Sequence, residues 1–192
     1  MLDKTIEEAN QLFLAKKFAE SITLYDQILE KDPSNLNVLN NKGYALSKLK
    51  QYQDAISCYD LALQKHPDEK TILTNKISSL RKLKSYDLAL HHCNQILSKE
   101  PHNNIILYHK ERILSSIGDY SGAIQCCDVI LSDYPQNAEV LFDKAVAQAK
   151  SNQEFLTTLN KSIISDQKMK LKAKVHSAFS NNTSQDFLRT VS

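Results

Sequence analysis

Apolar residues recur along most of the chain at intervals of three or four positions, the spacing that places side chains on one face of an α-helix. Residues 37–49 and 52–65 are two such runs, and the polar residues Lys50 and Gln51 separate them. A break of this length is typical of two helices joined by a short turn. The pattern therefore predicts a helical hairpin.

The prolines show that this hairpin is repeated along the chain. Each proline follows a polar helix end and precedes polar residues, among them Asn and Asp, which cap helices well. Consecutive prolines are 34 residues apart, and a fixed period of this size indicates a stack of helical hairpins. The four prolines are Pro33, Pro67, Pro101 and Pro135.

One column of the repeat differs between hairpins. Close helix contact favours a small side chain there, and Ala9, Gly43 and Ala145 are small. The third and fourth hairpins have Ile77 and Glu111 instead. We expect looser or shifted packing in those two hairpins. An alternative is that Glu111 turns outward and pairs with a neighbouring lysine.

The second hairpin resembles the tetratricopeptide repeat (TPR), a family of helical hairpins with the same period. The resemblance implies an all-α, right-handed superhelical solenoid of about five helix-turn-helix hairpins, followed by a C-terminal capping helix. The residues that carry the match are Leu39, Gly43, Leu46, Ala55, Tyr59, Ala62 and Pro67.

The resemblance and the residues that follow the last repeat together predict three parts of the chain. Residues 1–167 form the TPR array, 168–180 a basic amphipathic capping helix, and 181–192 a tail. The last repeat departs from the family pattern, because Thr157 replaces the expected alanine and no proline follows. The five repeats cover about 2–35, 36–69, 70–103, 104–137 and 138–167.

The predicted capping helix lies in the most basic part of the chain. Residues 168–192 carry four lysines and one arginine against one aspartate, a net charge of +4. Leu171 and Val175, with Ala178 or Phe179, predict its apolar face, which would cover the last hairpin. Alternatively, its lysines bind a polyanionic surface, either nucleic acid or an anionic membrane.

Nothing in the sequence indicates catalysis, a metal site or a cofactor. The chain has no phosphate-binding loop, no pair of cysteines at metal-binding spacing and no hydrolase nucleophile motif. His91, His92 and Cys93 are consecutive on a predicted helix, so their side chains point in different directions and cannot share one metal ion. We therefore expect a non-catalytic protein.

A cytoplasmic location is the expectation for this chain. Its N-terminal residues fit neither a secretory signal nor a transit peptide, and no apolar run is long enough to span a bilayer. The four cysteines lie within helical runs without the spacing of a disulfide framework, which suits a reducing compartment.

The TPR resemblance further implies a concave groove that is lined by the first helix of each hairpin and holds an extended or helical peptide. Asparagine dominates its N-terminal half, and an amide both donates to a peptide carbonyl and accepts from a peptide N–H. Arg81, Lys82 and Arg112 favour a partner with some acidic residues. The predicted groove residues are Asn10, Asn37, Asn40, Asn41, Tyr44, Lys48, Asn75, Arg81, Lys82, Tyr108, His109 and Arg112.

Some members of the family hold chaperone tails ending in the residues EEVD through a clamp of two asparagines and three cations. This chain supplies the asparagines as Asn10 and Asn41, but it has Ile6, Thr71 and Asn75 in place of the cations. Each missing cation removes a charge-assisted hydrogen bond worth about 1.5–3 kcal/mol. The predicted function is therefore a scaffold or adaptor for a different protein or peptide partner.

Overall fold

The computed structural model describes residues 2–180, 182 and 184–192. These residues form twelve α-helices and no β-strand, which confirms the predicted all-α class. Two residues of the predicted tail, Asn181 and Thr183, lie outside the described residues. In chain order the helices are α1 (Leu2–Leu14), α2 (Phe18–Lys31), α3 (Leu36–Lys48), α4 (Tyr52–Lys65), α5 (Lys70–Lys82), α6 (Tyr86–Lys99), α7 (Asn104–Ile117), α8 (Tyr120–Asp133), α9 (Ala138–Lys150), α10 (Leu156–Ser165), α11 (Lys168–Val175) and α12 (Gln185–Val191).

The first ten helices follow one another as five helix-turn-helix pairs, from α1–α2 to α9–α10. In each pair we call the earlier helix the first helix and the later one the second helix. The helices α3 and α4 lie within one residue of the bounds predicted from the hydrophobic pattern. The predicted repeat of helical hairpins is confirmed. No described helix is both long enough and apolar enough to cross a membrane.

The chain forms two compact units, Met1–His92 and Cys93–Ser192, with the boundary inside α6. In the N-terminal unit, α2 packs against α3 and α4 packs against α5, so that neighbouring hairpins cover each other's apolar faces. In the C-terminal unit, α8 packs against α9 in the same way, and α10 is covered by α11 and α12.

Three of the joints between hairpins are capped by asparagine. Asn35, Asn103 and Asn137 each accept a hydrogen bond of 3.2 Å from the backbone N–H three residues later, which satisfies one of the free donors at a helix start. At the start of α5 the cap residue is Glu69, whose side chain makes no such bond. The helix nevertheless begins at the equivalent place in that repeat.

The turn inside each hairpin is repeated as well. Five residues spaced 34 apart have a left-handed backbone, with φ between 56° and 86°. The following N–H bonds back to a carbonyl near the end of the first helix, a pattern that closes helices and reverses the chain. Glycine, which adopts this conformation without strain, occupies one of the five positions. The five residues are Lys16, Lys50, Lys84, Gly118 and Asn152.

The two helices of the second hairpin approach so closely that only glycine fits at one position. A Cβ added at Gly43 would lie 2.5 Å from a ring carbon of Tyr59, a side chain that is almost fully buried. Two carbon atoms that are not bonded to each other do not come this close, so the ring would have to move. The tyrosine ring thus fills the volume that the glycine leaves free.

In the fourth hairpin the equivalent residue is Glu111, which is only 3% exposed. The alternative that Glu111 turns outward is therefore wrong. Cys127 stands where the second hairpin has Tyr59, and its smaller side chain leaves room for the glutamate. Ile77, at the same position of the third hairpin, is also fully buried. Large residues in this column are thus accommodated inside the packing.

The C-terminal segment differs from the prediction in two respects. The helix α11 ends at Val175, so residues 168–180 are not one helix. The predicted apolar face is also wrong at Leu171 and Val175, which are 68% and 85% exposed, although its last member Phe179 is buried. Met169 and Ala173 are buried in their place, on the opposite side of α11.

An aromatic cluster beyond α11 covers the end of the last hairpin. Phe179 is buried, with its ring centroid 5.1 Å from that of Phe155 and 5.9 Å from that of Phe142. Phe187 of α12 joins the cluster at 5.8 Å from Phe179. Aromatic contacts therefore hold Phe179 and α12 against α9 and the start of α10.

Replacing Gly43 with Ala should lower the free energy of unfolding by about 1–3 kcal/mol, because the new methyl group overpacks the Tyr59 ring. Urea denaturation followed by circular dichroism measures the change. The matched control is the same substitution in a Tyr59→Cys background, where the ring is absent and the penalty should disappear. An equal penalty in both backgrounds would contradict this account of the contact.

Candidate functional site

Four of the predicted groove residues form a continuous hydrogen-bonded network on the first helices of the N-terminal unit. Asn75 on α5 donates to Asn40 on α3 at 3.0 Å, and Asn40 donates to its neighbour Asn41 at 3.4 Å. Asn41 then donates to the Oδ1 atom of Asn10 on α1 at 3.2 Å. The network therefore links one amide to the next across three hairpins.

The network is anchored in the core by Tyr25 on α2. This side chain is fully buried, and its hydroxyl donates to Asn10 Oδ1 at 2.9 Å. Burial raises the pKa of the Tyr25 hydroxyl, so the group stays protonated and remains a donor. A core tyrosine on the second helix of the hairpin thus fixes the orientation of the Asn10 amide on the first helix.

The hydrogen bonds within the network leave one N–H group of Asn40, Asn41 and Asn75 unused by the network. An asparagine side chain has two N–H donors and one acceptor oxygen. Asn40, Asn41 and Asn75 each use one N–H group within the network, and all three side chains are half-buried. The network therefore presents a row of pre-oriented donors, while the predicted groove residue Asn37 is exposed and lies outside it.

Aromatic rings and cations lie near the ends of α3 and α5. The Lys48 ammonium lies 4.9 Å from the centroid of the Tyr44 ring, and the Lys82 ammonium lies 5.7 Å from that of Tyr52. Tyr44 also packs edge-on against Phe13 with centroids 5.5 Å apart. These cation–π contacts hold two positive charges beside an aromatic surface.

Arg81 adds a third positive charge to this region. Burial lowers the pKa of Lys82, and the nearby Lys48 and Arg81 lower it further. The Nε atom of Arg81 is buried, and the described residues supply no hydrogen-bond partner for it. We call Lys48, Arg81 and Lys82 the basic cluster. Its mutual repulsion would be relieved by an anionic group.

The predicted groove residues of the C-terminal unit have a different arrangement. Arg112 donates to the hydroxyl of Tyr108 and, at 3.1 Å, to the carboxylate of Asp143 on α9. Its Nε atom lies 3.6 Å from the carboxylate of the buried Glu111. The ring of the half-buried His109 lies 6.5 Å from that of Tyr108. Arg112 is thus engaged by the chain's own acidic side chains.

The pKa values of this ion pair reflect its partial burial. Burial raises the pKa of Asp143, although the positive charge of Arg112 opposes this effect. For Arg112, burial alone would lower the pKa, but Asp143, Tyr108 and Glu111 outweigh it and raise the pKa. Sequence reasoning missed this cluster because Glu111 and Asp143 gave no sign of their burial, apart from the cysteine opposite Glu111.

The lysines of α11 are partly used within the chain. Lys172 pairs with the carboxylate of Glu139, and its ammonium lies 4.2 Å from the centroid of the Phe142 ring. Lys168 and Lys174 are exposed. One of the four lysines in the predicted polyanion-binding helix is therefore committed to holding that helix against α9.

The cysteines and acidic residues do not assemble into a reactive group. All four cysteines are free and buried, and burial raises the pKa of Cys93 to about 12 and of Cys126 to about 11. Thiols with such pKa values are weak nucleophiles at neutral pH. Within the described part of the chain, no three His, Cys, Asp or Glu side chains are arranged to bind a metal ion.

Comparison with known proteins agrees with this arrangement of helices. Residues 37–69, which contain Asn40, Asn41 and Gly43, match the family model described as "Tetratricopeptide repeat". Residues 37–69 are thus a tetratricopeptide repeat. No curated protein matches its sequence.

Many solved structures are similar to this chain, among them the following two. One is the crystal structure of YrrB, described as a TPR protein with an unusual peptide-binding site, at 21% identity and a TM-score of 0.72, covering 88% of this chain and 90% of that one. The other is MamA, at 15% identity and a TM-score of 0.77, covering 91% of this chain and 96% of that one. At these identities the similarity shows the fold alone.

The network makes a prediction about the stability of the chain. Replacing Asn10 with Ala should lower the free energy of unfolding by about 1–3 kcal/mol, because the buried Tyr25 hydroxyl loses its acceptor. Urea denaturation measures the loss. Asn37→Ala is the matched control on an exposed asparagine and should stay within about 0.5 kcal/mol of the unmodified chain. Equal stability of the two variants would exclude a structural role for the network.

Proposed function

We propose that the whole chain is a tetratricopeptide repeat array and acts as a non-catalytic scaffold, which binds a peptide segment of another protein along the first helices of its N-terminal unit. The observation that carries the proposal is the amide network of Asn10, Asn40, Asn41 and Asn75. Its remaining N–H groups match the carbonyls of a bound main chain, which every peptide possesses. Recognition of this kind depends little on the side chains of the partner.

Pre-orientation of the amides favours binding. A free asparagine side chain loses rotamer freedom when a ligand binds, and this loss opposes association. Here each amide is already held by its neighbour, and Asn10 is held by the buried Tyr25. Much of the ordering therefore takes place during folding rather than during binding.

The basic cluster of Lys48, Arg81 and Lys82 favours a partner segment with acidic residues near one end of this site. A carboxylate placed there would offset the repulsion that lowers the pKa of Lys82, and it would offer an acceptor to Arg81 Nε. Tyr44 provides an apolar surface beside these charges. The chemistry therefore suits a peptide with an acidic residue next to an apolar one.

The experiment is a selection of binders from a random-peptide display library against the intact chain, followed by affinity measurement on the enriched peptides. Replacing Asn41 and Asn75 together with Ala should weaken binding by more than about 1 kcal/mol, because two hydrogen bonds to the peptide main chain are lost. Circular dichroism and urea denaturation establish that the variant is folded.

The matched control replaces Asn94 and Asn160, two exposed asparagines on second helices, with Ala. This variant should bind the enriched peptides as tightly as the intact chain. Affinity that is unchanged in the Asn41 and Asn75 variant would place the ligand elsewhere and refute the proposal. Replacing Lys48 and Lys82 with Gln should weaken binding of acidic peptides, and this effect should shrink as salt is raised.

A further inference from the structure

The C-terminal unit contains an open pocket of about 400 Å³. Of the predicted groove residues, Tyr108 lines it. The pocket lies where the starts of α7 and α9 meet the end of α8. A volume of this size accommodates a large apolar side chain with part of its backbone. The residues that line it are Asn104, Ile105, Tyr108, Ile130, Tyr134, Asn137 and Val140.

Two apolar side chains at this pocket are exposed to solvent. Ile105 is 64% exposed and Tyr134 is 56% exposed, although neither lies at a chain end. Exposure of this kind leaves apolar surface in contact with water, which is unfavourable unless something else covers it. Packing of the hairpins therefore does not account for these two residues.

Comparison within the chain shows that the repeat does not require apolar residues there. The positions equivalent to Ile105 and Tyr134, displaced by the 34-residue period, are polar in the second and third hairpins. Tyr108 also lines the pocket, and it too stands where the second and third hairpins have polar residues. The polar equivalents are Asn37 and Thr71 for Ile105, Asn40 and Thr74 for Tyr108, and His66 and Glu100 for Tyr134.

An unsatisfied acceptor lies in the pocket lining. The amide of Asn104 donates through Nδ2 to the carboxylate of Asp133 at 3.3 Å, which fixes the orientation of the amide because a carboxylate only accepts. The other end, Asn104 Oδ1, is buried and has no hydrogen-bond partner among the described residues. A buried acceptor in this state favours a ligand that brings an N–H group.

The charge beside the pocket is negative. Asp133 precedes Tyr134 and accepts hydrogen bonds from Asn104 and, at 3.3 Å, from the ring of the exposed His102. These bonds lower the pKa of Asp133, so its carboxylate is ionised at neutral pH. The side chain remains 36% exposed. A basic residue in the ligand would therefore complement this side of the pocket.

We propose that this pocket binds one apolar side chain of a peptide segment in which the adjacent residue is Lys or Arg, with a peptide N–H donated to Asn104 Oδ1. The proposal rests on the proposed function, because it assigns a side-chain specificity to the same class of ligand. The pocket recognises a side chain of the peptide, whereas the amide network contacts only main-chain atoms. The pocket is the place where this protein distinguishes one peptide from another.

The test uses the peptides enriched from a random-peptide library on the intact chain, with affinities measured by fluorescence polarisation. The pocket variant carries Ile105→Asn and Tyr134→His, which are the residues of the second hairpin at these positions. The control variant carries Leu171→Asn and Val175→His, which introduces the same two polar residues at two exposed apolar positions outside the pocket. Urea denaturation checks that both variants are folded.

The expected result is an enriched motif of Leu, Ile, Met or Phe beside Lys or Arg, with binding weakened at least about tenfold by the pocket variant and unchanged by the control. Replacing the apolar peptide residue with Ser should weaken binding to the intact chain but should have little further effect on the pocket variant.

Two other outcomes separate this proposal from the proposed function. Peptides that lose affinity for the Asn41 and Asn75 variant but not for the pocket variant would overturn the pocket proposal and leave the proposed function standing. Peptides unaffected by either variant, or a selection that yields no binders, would overturn both.

Discussion

A single helical hairpin of this length cannot bury its apolar face alone, so each hairpin of this chain depends on packing against another. The second helix of one hairpin covers the first helix of the next, as α2 covers α3 and α4 covers α5. This constraint determines which side of each helix faces the core. The first helices use one side for the core and keep the other free, which is why the chain can carry polar side chains such as Asn41 and Asn75 without loss of its core.

The amide network connects the core of the N-terminal unit to its surface. Tyr25 is a core residue, yet its hydroxyl orients Asn10, and Asn10 in turn orients Asn41. A change in the core is therefore transmitted to the surface through two hydrogen bonds. In the C-terminal unit, by contrast, Arg112 is held by Asp143, and the neighbouring surface offers an apolar pocket instead of amides.

The repeated features of the fold were predictable because they depend on spacing. The prolines fix the period, and the period fixes the helices, the joints and the helical turns. The residue-specific features were not predictable in the same way. Hydrophobic periodicity assigned Leu171 and Val175 to the buried side of α11, but the helix is too short for two residues to determine which side faces the core. For Glu111 the sequence predicted looser packing and left an outward position as an alternative, because Cys127, whose small side chain makes room for it, lies 16 residues away in the sequence.

The central claim is that ligands lie against the pre-oriented amides of the first helices. Nuclear magnetic resonance of the nitrogen-labelled chain tests it directly, through the side-chain amide signals of Asn10, Asn40, Asn41 and Asn75 during titration with a selected peptide. The account predicts that these signals shift in a saturable manner, while those of the control residues on second helices stay in place. Shifts confined to second-helix asparagines, such as Asn94 and Asn160, would contradict it.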